Sequence, residues 1–267
     1  MQNNFNEKKL LRISLITPTY NSGLTIRSTL QSVADQKYSN LQYIIIDSAS
    51  TDHTLSIVNE YSDIVTDIVS EKDNGIYYAL NKGIAMSDGD IIGILNSDDF
   101  YVTNNVLDQV SDVFTINNDC DVVMANVDYV ESNDLKNPLR NYKINKFYTW
   151  MFRFGIMPPH PAVFVKKSAY NRVGKFNTDF KIAADFDFLV RLLYLHLAKF
   201  VVINQIWVRM RIGGISTASI KSNLIITQEI RRSLNINSIS TNYFFILMRI
   251  PYKLFYQIIY QNLFGVK

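Results

Sequence analysis

Short apolar runs alternate with stretches of helical spacing through the first half of the chain, and that alternation leaves few folds open. The runs cover 13–17, 41–47, 64–69, 90–95 and 121–125, and each reads as a buried strand. Between them, 22–34, 54–61, 76–86 and 105–116 carry apolar residues at helical intervals, with Ser22 and Thr54 as suitable starts. Strand, helix, strand repetition predicts an α/β fold built on a mostly parallel, doubly wound sheet. In such sheets ligands bind just beyond the carboxyl ends of the strands, so the residues that follow each run matter most.

Beyond the fifth strand the pattern weakens, and 129–148 is Asn-rich and reads as loop. Order returns with Pro158-Pro159-His160-Pro161, a strand over 162–165, a turn at Gly174, a helix over 184–197 and a strand over 200–206. The length of 267 residues suits one large domain with a small appendage. We expect a polar tail at 1–12, one large domain at 13–217, divided at 125 where the strand-helix alternation weakens, and a helical C-terminal segment at 218–267.

With 27 basic and 24 acidic residues the chain is too evenly charged for a broad nucleic-acid footprint. The single cysteine, Cys120, reads as a buried thiol in a reducing compartment. The first ten residues lack the apolar centre of a secretory signal, which predicts cytoplasmic retention, and no run of about 18 apolar residues supports a membrane span.

The strand ends are polar. Asn96-Ser97-Asp98-Asp99 places two carboxylates after an apolar strand, the kind of oxygen ligand through which magnesium or manganese bridges a protein to phosphates. A solvated turn capping the next helix is the other role open to that pair. Pro18 or Tyr20 could pack on a base, and Asp47 or Asp73 could accept hydrogen bonds from base or ribose, although Asp47 could instead cap the following helix. Asp52 reads as a cap.

At these residues the chain resembles the family 2 glycosyltransferases of GT-A fold. Thr17-Pro18-Thr19-Tyr20-Asn21, Ile46-Asp47-Ser48-Ala49-Ser50-Thr51-Asp52, Asp73-Asn74-Gly75 with Asn81-Lys82-Gly83, and Gly89-Asp90 leading to Asn96-Ser97-Asp98-Asp99 carry the likeness, which continues more loosely through Gly174-Lys175-Phe176 and Ala184-Asp185-Phe186-Asp187. The resemblance implies that 13–125 binds nucleotide and 126–217 carries the acceptor and catalytic groups, that Thr17, Pro18, Tyr20, Asp47, Asp73, Asn81, Asn96 and Asp98 contact a nucleotide sugar, UDP being the expected nucleotide, and that Asp98 and Asp99 serve a divalent cation, Mn2+ or Mg2+. It also implies bacterial surface polysaccharide work of the O-antigen type, on an undecaprenyl diphosphate carrier at the inner face of the cytoplasmic membrane. Ser48 stands where an acid is usual, Asn96 where many members have the first aspartate of a DxD motif, and Leu80 where arginine is common.

Displacing a nucleotide diphosphate by a hydroxyl requires a base. Asp185 shares a helix face with Phe188, Leu189 and Leu192, which points it inward and raises its basicity, and the resembled family has its catalytic base at the matching position. A helix cap is the other role open to Asp185. Asp187 stands four residues before Arg191, as in an ordinary surface ion pair. His160 could reach an acceptor or simply pack, and no nucleophilic triad or zinc spacing is present. Arg209 and Arg211 precede Gly213-Gly214 and Ser216, so Arg211 could close over the donor diphosphate. From 243 to 264 the chain is aromatic and aliphatic, with Lys253, Gln257 and Gln261 as a polar stripe opposite Phe255, Ile258, Ile259 and Leu263: a helix that lies on a membrane or packs on its own domain. A silent UDP-binding or membrane-scaffold protein is a second reading, which Asp185 argues against. A sugar nucleotidyltransferase would need a basic, glycine-rich loop after the first strand, and 17–23 has one glycine and no lysine.

Overall fold

The computed structural model describes residues 10–144, 146–213 and 220–255. Its strands are β1 (Ile13–Thr19), β2 (Leu41–Asp47), β3 (Asp67–Ser70), β4 (Ile91–Ile94), β5 (Phe100–Tyr101), β6 (Val122–Val130), β7 (Arg140–Tyr142), β8 (Val163–Lys166) and β9 (Phe200–Arg211). The helices are α1 (Ile26–Ala34), α2 (Thr54–Asn59), α3 (Ile76–Met86), α4 (Val106–Ile116), α5 (Lys167–Val173), α6 (Ala184–Leu189), α7 (Ile220–Ile236), α8 (Tyr243–Leu247) and α9 (Arg249–Phe255). They build one nine-stranded sheet in the order β3-β2-β1-β4-β8-β6-β9-β5, with β7 on β6. The expected α/β architecture with a helical C-terminal segment is what forms.

Alternation along the central strands sorts the core into two layers. Ile44 and Ile46 of β2 face α3, α6 and α7, whereas Tyr43 and Ile45 face α1, α2 and α4. Each fully buried isoleucine contributes about 1.5–3 kcal/mol, so both layers are specified by the run 41–47 itself. The helices pack closely: a Cβ added at Gly83 of α3 would lie 2.5 Å from Cγ2 of Ile16 on β1.

β1, β2, β3 and β4 are parallel, and β8 then runs antiparallel to both β4 and β6. The carboxyl ends of β1, β2 and β4 and the start of β8 therefore share one rim. Several boundaries differ from expectation. β3 begins at Asp67 because Ile64 and Val65 close a turn onto the carbonyl of Tyr61. α1 begins at Ile26, with the Ser22 carbonyl accepting from Thr25 and Ile26. β6 runs on to Val130, into the stretch expected to be loop, because its Asn126 and Asp128 are buried polar residues that hide the alternation. β9 likewise continues to Arg211, and the helix expected over 184–197 is α6 followed by a π-helical turn, Val190–Leu195. Cys120 is buried, its thiol directed at the carbonyl of Val122.

Candidate active site

The rim is laced by bonds between loops distant in sequence. The Asn21 amide donates to Oγ of Ser50 at 2.8 Å, the Thr51 amide donates to Oδ1 of Asn21 at 2.9 Å, and the hydroxyls of Ser22 and Ser97 meet at 2.8 Å. Asp52 accepts from the Thr54 amide at 3.0 Å but stands one residue before His53, the cap position of α2, and its other oxygen takes the Gly23 amide at 2.9 Å. The loops after β1, β2 and β4 are thus one connected surface.

Tyr20, expected against a base, is 63% exposed on that surface, and Pro18 is buried beneath it. Thr17 is different: it is fully buried with its hydroxyl 3.1 Å from that of Tyr43, so strand alternation turns it into the core and away from any nucleotide. Asp47 has no exposed surface. Its carboxylate accepts from the Ser50 amide at 3.0 Å, the Ser50 hydroxyl at 2.5 Å and the Ser70 hydroxyl at 2.6 Å, which bends the loop that follows β2. Asp73 pairs with Lys82 at 2.5 Å and accepts from the Ser48 hydroxyl at 3.2 Å. Asn81 is committed at both ends of its amide, donating to the Phe176 carbonyl at 2.8 Å and accepting its N–H at 3.0 Å, and so ties α3 to the turn after Gly174.

After β4 the chain turns sharply. Asp98 is partly exposed and Asp99 is buried behind it, with Nδ2 of Asn96 donating to Asp99 at 3.0 Å. Burial pushes the Asp98 carboxyl up, opposed by Arg211, and pushes Asp99 well up, reinforced by the charge of Asp98. Arg211 is not poised as a free lid. Its guanidinium donates to the backbone carbonyl of Asp98 and to the Ser28 hydroxyl at 2.7 Å, and it lies 5.2 Å from the Phe100 ring centroid. A buried guanidinium needs acceptors, and these pin it to the acidic loop. Gly214 and Ser216 of the expected lid lie outside the described residues.

Two desolvated, mutually repelling carboxyls at a strand end fit a hard divalent cation that takes one or two protein oxygens and fills its shell with phosphate and water. Among the described residues no three His, Cys, Asp or Glu side chains gather as an all-protein metal cage. Of the two, Asp98 would be the more accessible ligand and Asp99 the inner one.

Asp185 stands on the first turn of α6. Its carboxyl is raised to about 6 by loss of water, with the negative charge of Glu229 adding to the rise and the Phe186 amide and Tyr77 hydroxyl opposing it. The Tyr77 hydroxyl, from α3, lies 3.5 Å from Asp185 and donates to the carbonyl of Ile182. Asp187 forms the expected pair with Arg191 at 2.9 Å, yet the carboxylate is 3% exposed and also accepts from Ser233 at 2.9 Å and Asn237 at 3.0 Å, so the pair is interior. α7 covers the face that helix periodicity alone left open to solvent. His160 sits in the turn before β8, its ring 5.7 Å from that of Phe176, and burial lowers its pKa to about 4, leaving a neutral imidazole.

Tyr77, Lys82 and Glu229 were not singled out from the sequence. Lys82 lay inside a quoted motif, and Tyr77 follows Gly75 on the helix opened by Asp73-Asn74-Gly75, so both had a local signal. Glu229 had none, because its partners are 46 to 48 residues away.

Residues 14–173 match the family model described as Glycosyl transferase family 2. A PGL/p-HBAD biosynthesis glycosyltransferase of Mycobacterium bovis BCG is 26% identical over 181 residues, 67% of this chain and 68% of that protein. The E. coli UDP-Glc:alpha-D-GlcNAc-diphosphoundecaprenol beta-1,3-glucosyltransferase WfaP is 36% identical over 101 residues, 37% of this chain and 39% of that protein. Among solved structures, S. aureus TarS 1-349 in complex with UDP-GlcNAc superposes with a TM-score of 0.66 at 19% identity, covering 84% of this chain and 66% of that one; of a longer TarS chain this protein spans 40%. The mannosyltransferase PcManGT from Pyrobaculum calidifontis, with GDP-Man and Mn2+, gives 0.64 at 19% identity, covering 88% and 66%. The structural likenesses establish the GT-A fold, and the match across 14–173 establishes the family: the chain belongs to the family 2 glycosyltransferases.

Proposed function

We propose that this glycosyltransferase moves a single sugar from a UDP-sugar to a hydroxyl of a lipid-linked saccharide, with inversion at the anomeric carbon, in bacterial surface polysaccharide (O-antigen) synthesis at the inner face of the cytoplasmic membrane. The observation that carries the reading is Asp185, 3.5 Å from the Tyr77 hydroxyl of the helix that follows Asp73 and with its carboxyl raised to about 6, in a fold whose β4 leads into Asp98 and Asp99. Asp185 takes the proton of the acceptor hydroxyl while that oxygen bonds to the anomeric carbon. The bond from that carbon to the diphosphate oxygen breaks on the opposite side, and UDP leaves with the electron pair. A divalent cation, Mn2+ or Mg2+, held at Asp98 with Asp99 behind it, supplies charge neutralisation for the diphosphate when bound. Arg211, fixed to the same loop, adds a second positive charge there. Tyr20 offers its exposed ring to the base. Support for the donor comes from the UDP-GlcNAc complex of TarS, for the cation from the Mn2+ complex of PcManGT, and for the acceptor class from the name of WfaP.

Membrane contact belongs to the same reading. Rings of Tyr148, Trp150, Phe154, Phe245 and Phe244 follow one another with centroids 6.2, 5.8, 5.3 and 6.1 Å apart, joining the 3-10 helix Thr149–Phe154 to α8. Tyr148, Trp150 and Phe244 are 51, 53 and 68% exposed. No acidic residue occurs between Asp134 and Asp179 or after Glu229, and Lys146, Arg153 and Arg231 lie in those acid-free stretches. Aromatic rings carried by stretches with basic but no acidic residues suit an anionic lipid surface. α8 packs on its own domain through Ile246; of the stripe weighed for a membrane face, 256–264 lie outside the described residues. No helix among the described residues is long and apolar enough to cross a membrane.

The test is a panel of UDP-sugars with Mn2+, offered together with a lipid-diphosphate saccharide in anionic vesicles, the product read by NMR. An inverted linkage formed only with cation is expected; a retained configuration would sink the mechanism. The double variant Trp150→Ala/Phe244→Ala is expected to lose most vesicle binding, and unchanged sedimentation with vesicles would remove the membrane face from the reading.

A further inference from the structure

The residues just before Asp185 are gripped from a helix far along the chain. Glu229 of α7 is nearly buried, and its carboxylate accepts three backbone amides: Lys181 at 2.7 Å, Ile182 at 2.9 Å and Ala183 at 2.9 Å. Ala183 is the cap residue of α6, and its methyl side chain offers no acceptor to that helix start. Amides converging on an ionised carboxylate form charge-assisted bonds, stronger than neutral ones and dependent on the charge. From the opposite side the Tyr77 hydroxyl donates to the Ile182 carbonyl. The segment 181–183 is therefore held between α3 and α7.

The grip continues past Asp185. Ser233 and Asn237 both donate to Asp187, at 2.9 and 3.0 Å. Glu229, Ser233 and Asn237 recur every four residues, one stripe along α7 and the residue just past its end. One end of the stripe fastens the backbone that precedes Asp185 and the other fastens the side chain two residues after it. α7 lies outside the 14–173 region that matches the family model, so this holder is supplied by the chain's own C-terminal part.

We infer that Glu229 is a positioning residue for the transfer reaction: its charged carboxylate fixes 181–183 so that the Asp185 carboxyl is presented beside Tyr77 at the cleft. This rests on the reading of Asp185 as the base. Groups that face Asp185 are the Tyr77 hydroxyl from α3, the Glu229 carboxylate from α7 and the Phe186 amide of its own helix. Glu229 thereby has a second effect, since its negative charge disfavours a second negative charge at Asp185 and adds to the rise that loss of water produces.

Glu229→Gln keeps the shape and removes the charge, so the amides lose their strongest acceptor and Asp185 ionises more easily. Two readouts separate positioning from general support. In the folded protein, the Asp185 carboxyl is titrated by carbon-13 NMR, assigned by difference from Asp185→Asn, and hydrogen exchange is followed at the 181–183 amides; neither needs turnover. In transfer, kcat is expected to fall about tenfold to a hundredfold, the size of loss that a small displacement of a reacting group produces, with the UDP-sugar KM within about twofold. The Asp185 titration and the acid limb of kcat should both move to lower pH, and the three amides should exchange faster. Glu229→Asp, which keeps the charge on a shorter arm, should leave the titration near its original place and recover part of kcat; it also serves if the Gln variant does not fold. An unmoved Asp185 titration in folded Glu229→Gln overturns the inference, as does unchanged exchange at 181–183. Wild-type protein that turns over no donor would instead count against the transfer reading, with the NMR result still deciding the role of Glu229.

Discussion

At Asp185, loss of water around the carboxyl outweighs the Phe186 amide and Tyr77 hydroxyl that favour its ionised form, and the balance falls at about 6. A base works only when deprotonated, so kcat should rise with pH through that value and level off above it. A rate that stays flat between pH 5 and 8 would exclude Asp185 as the group that titrates. Asp98 and Asp99 are raised for a related reason, burial that the charge of Arg211 only partly offsets, and under the proposed function a divalent cation would relieve it. Residue identity told less about direction. Asp98, Asp99 and Asp185 could be picked out because polar groups at strand ends and on an apolar helix face are conspicuous. Thr17 could not be excluded, since whether a strand's last hydroxyl faces core or cleft depends on register, and Asp47 gave no sign that Ser50 and Ser70 would occupy its oxygens.

Among the elements, α7 does the most that local pattern did not foretell. Strands 13–17 and 41–47 were readable because each is a continuous apolar run with a helical stretch after it. β6 and β9 extend beyond their apolar runs because Asn126, Asp128 and Arg209 interrupt the pattern, although strand pairing buries the first two. The π-helical turn after α6 had no sequence signal that we can identify. The Asp187–Arg191 pair shows how tertiary packing changes a local rule: on an isolated helix it would be worth a few tenths of a kcal/mol, but under α7 it is interior and bonded to Ser233 and Asn237. Asp187→Ala leaves Arg191, Ser233 and Asn237 without that acceptor and should cost about 3 kcal/mol in urea unfolding. A loss below about 0.5 kcal/mol, the size expected of an exposed pair, would show that the contact adds little to the docking of α7.

For the whole molecule, the parallel half of the sheet followed from the repeating strand-helix pattern, while the antiparallel return of β8 between β4 and β6 depends on long-range pairing that no local period reports. That return brings His160 and the turn before it to the rim where β1, β2 and β4 end. Aromatic rings from 148–154 and from α8, separated by ninety residues in sequence, likewise meet only in the fold. The central proposition is that acidic groups from β4 and α6 act on one donor and acceptor. It is tested most directly by comparing wild type with Asp185→Asn in Mn2+-dependent transfer from a UDP-sugar, with UDP affinity and melting temperature measured on the same samples. The ionised carboxyl costs stability above about pH 6 and nothing below the ordinary carboxylate range, so at pH 8 the variant should melt no lower than wild type. Transfer should fall at least about a hundredfold, the scale of general-base catalysis, with UDP affinity unchanged. Transfer retained at the wild-type rate in a folded Asp185→Asn protein would contradict the proposition.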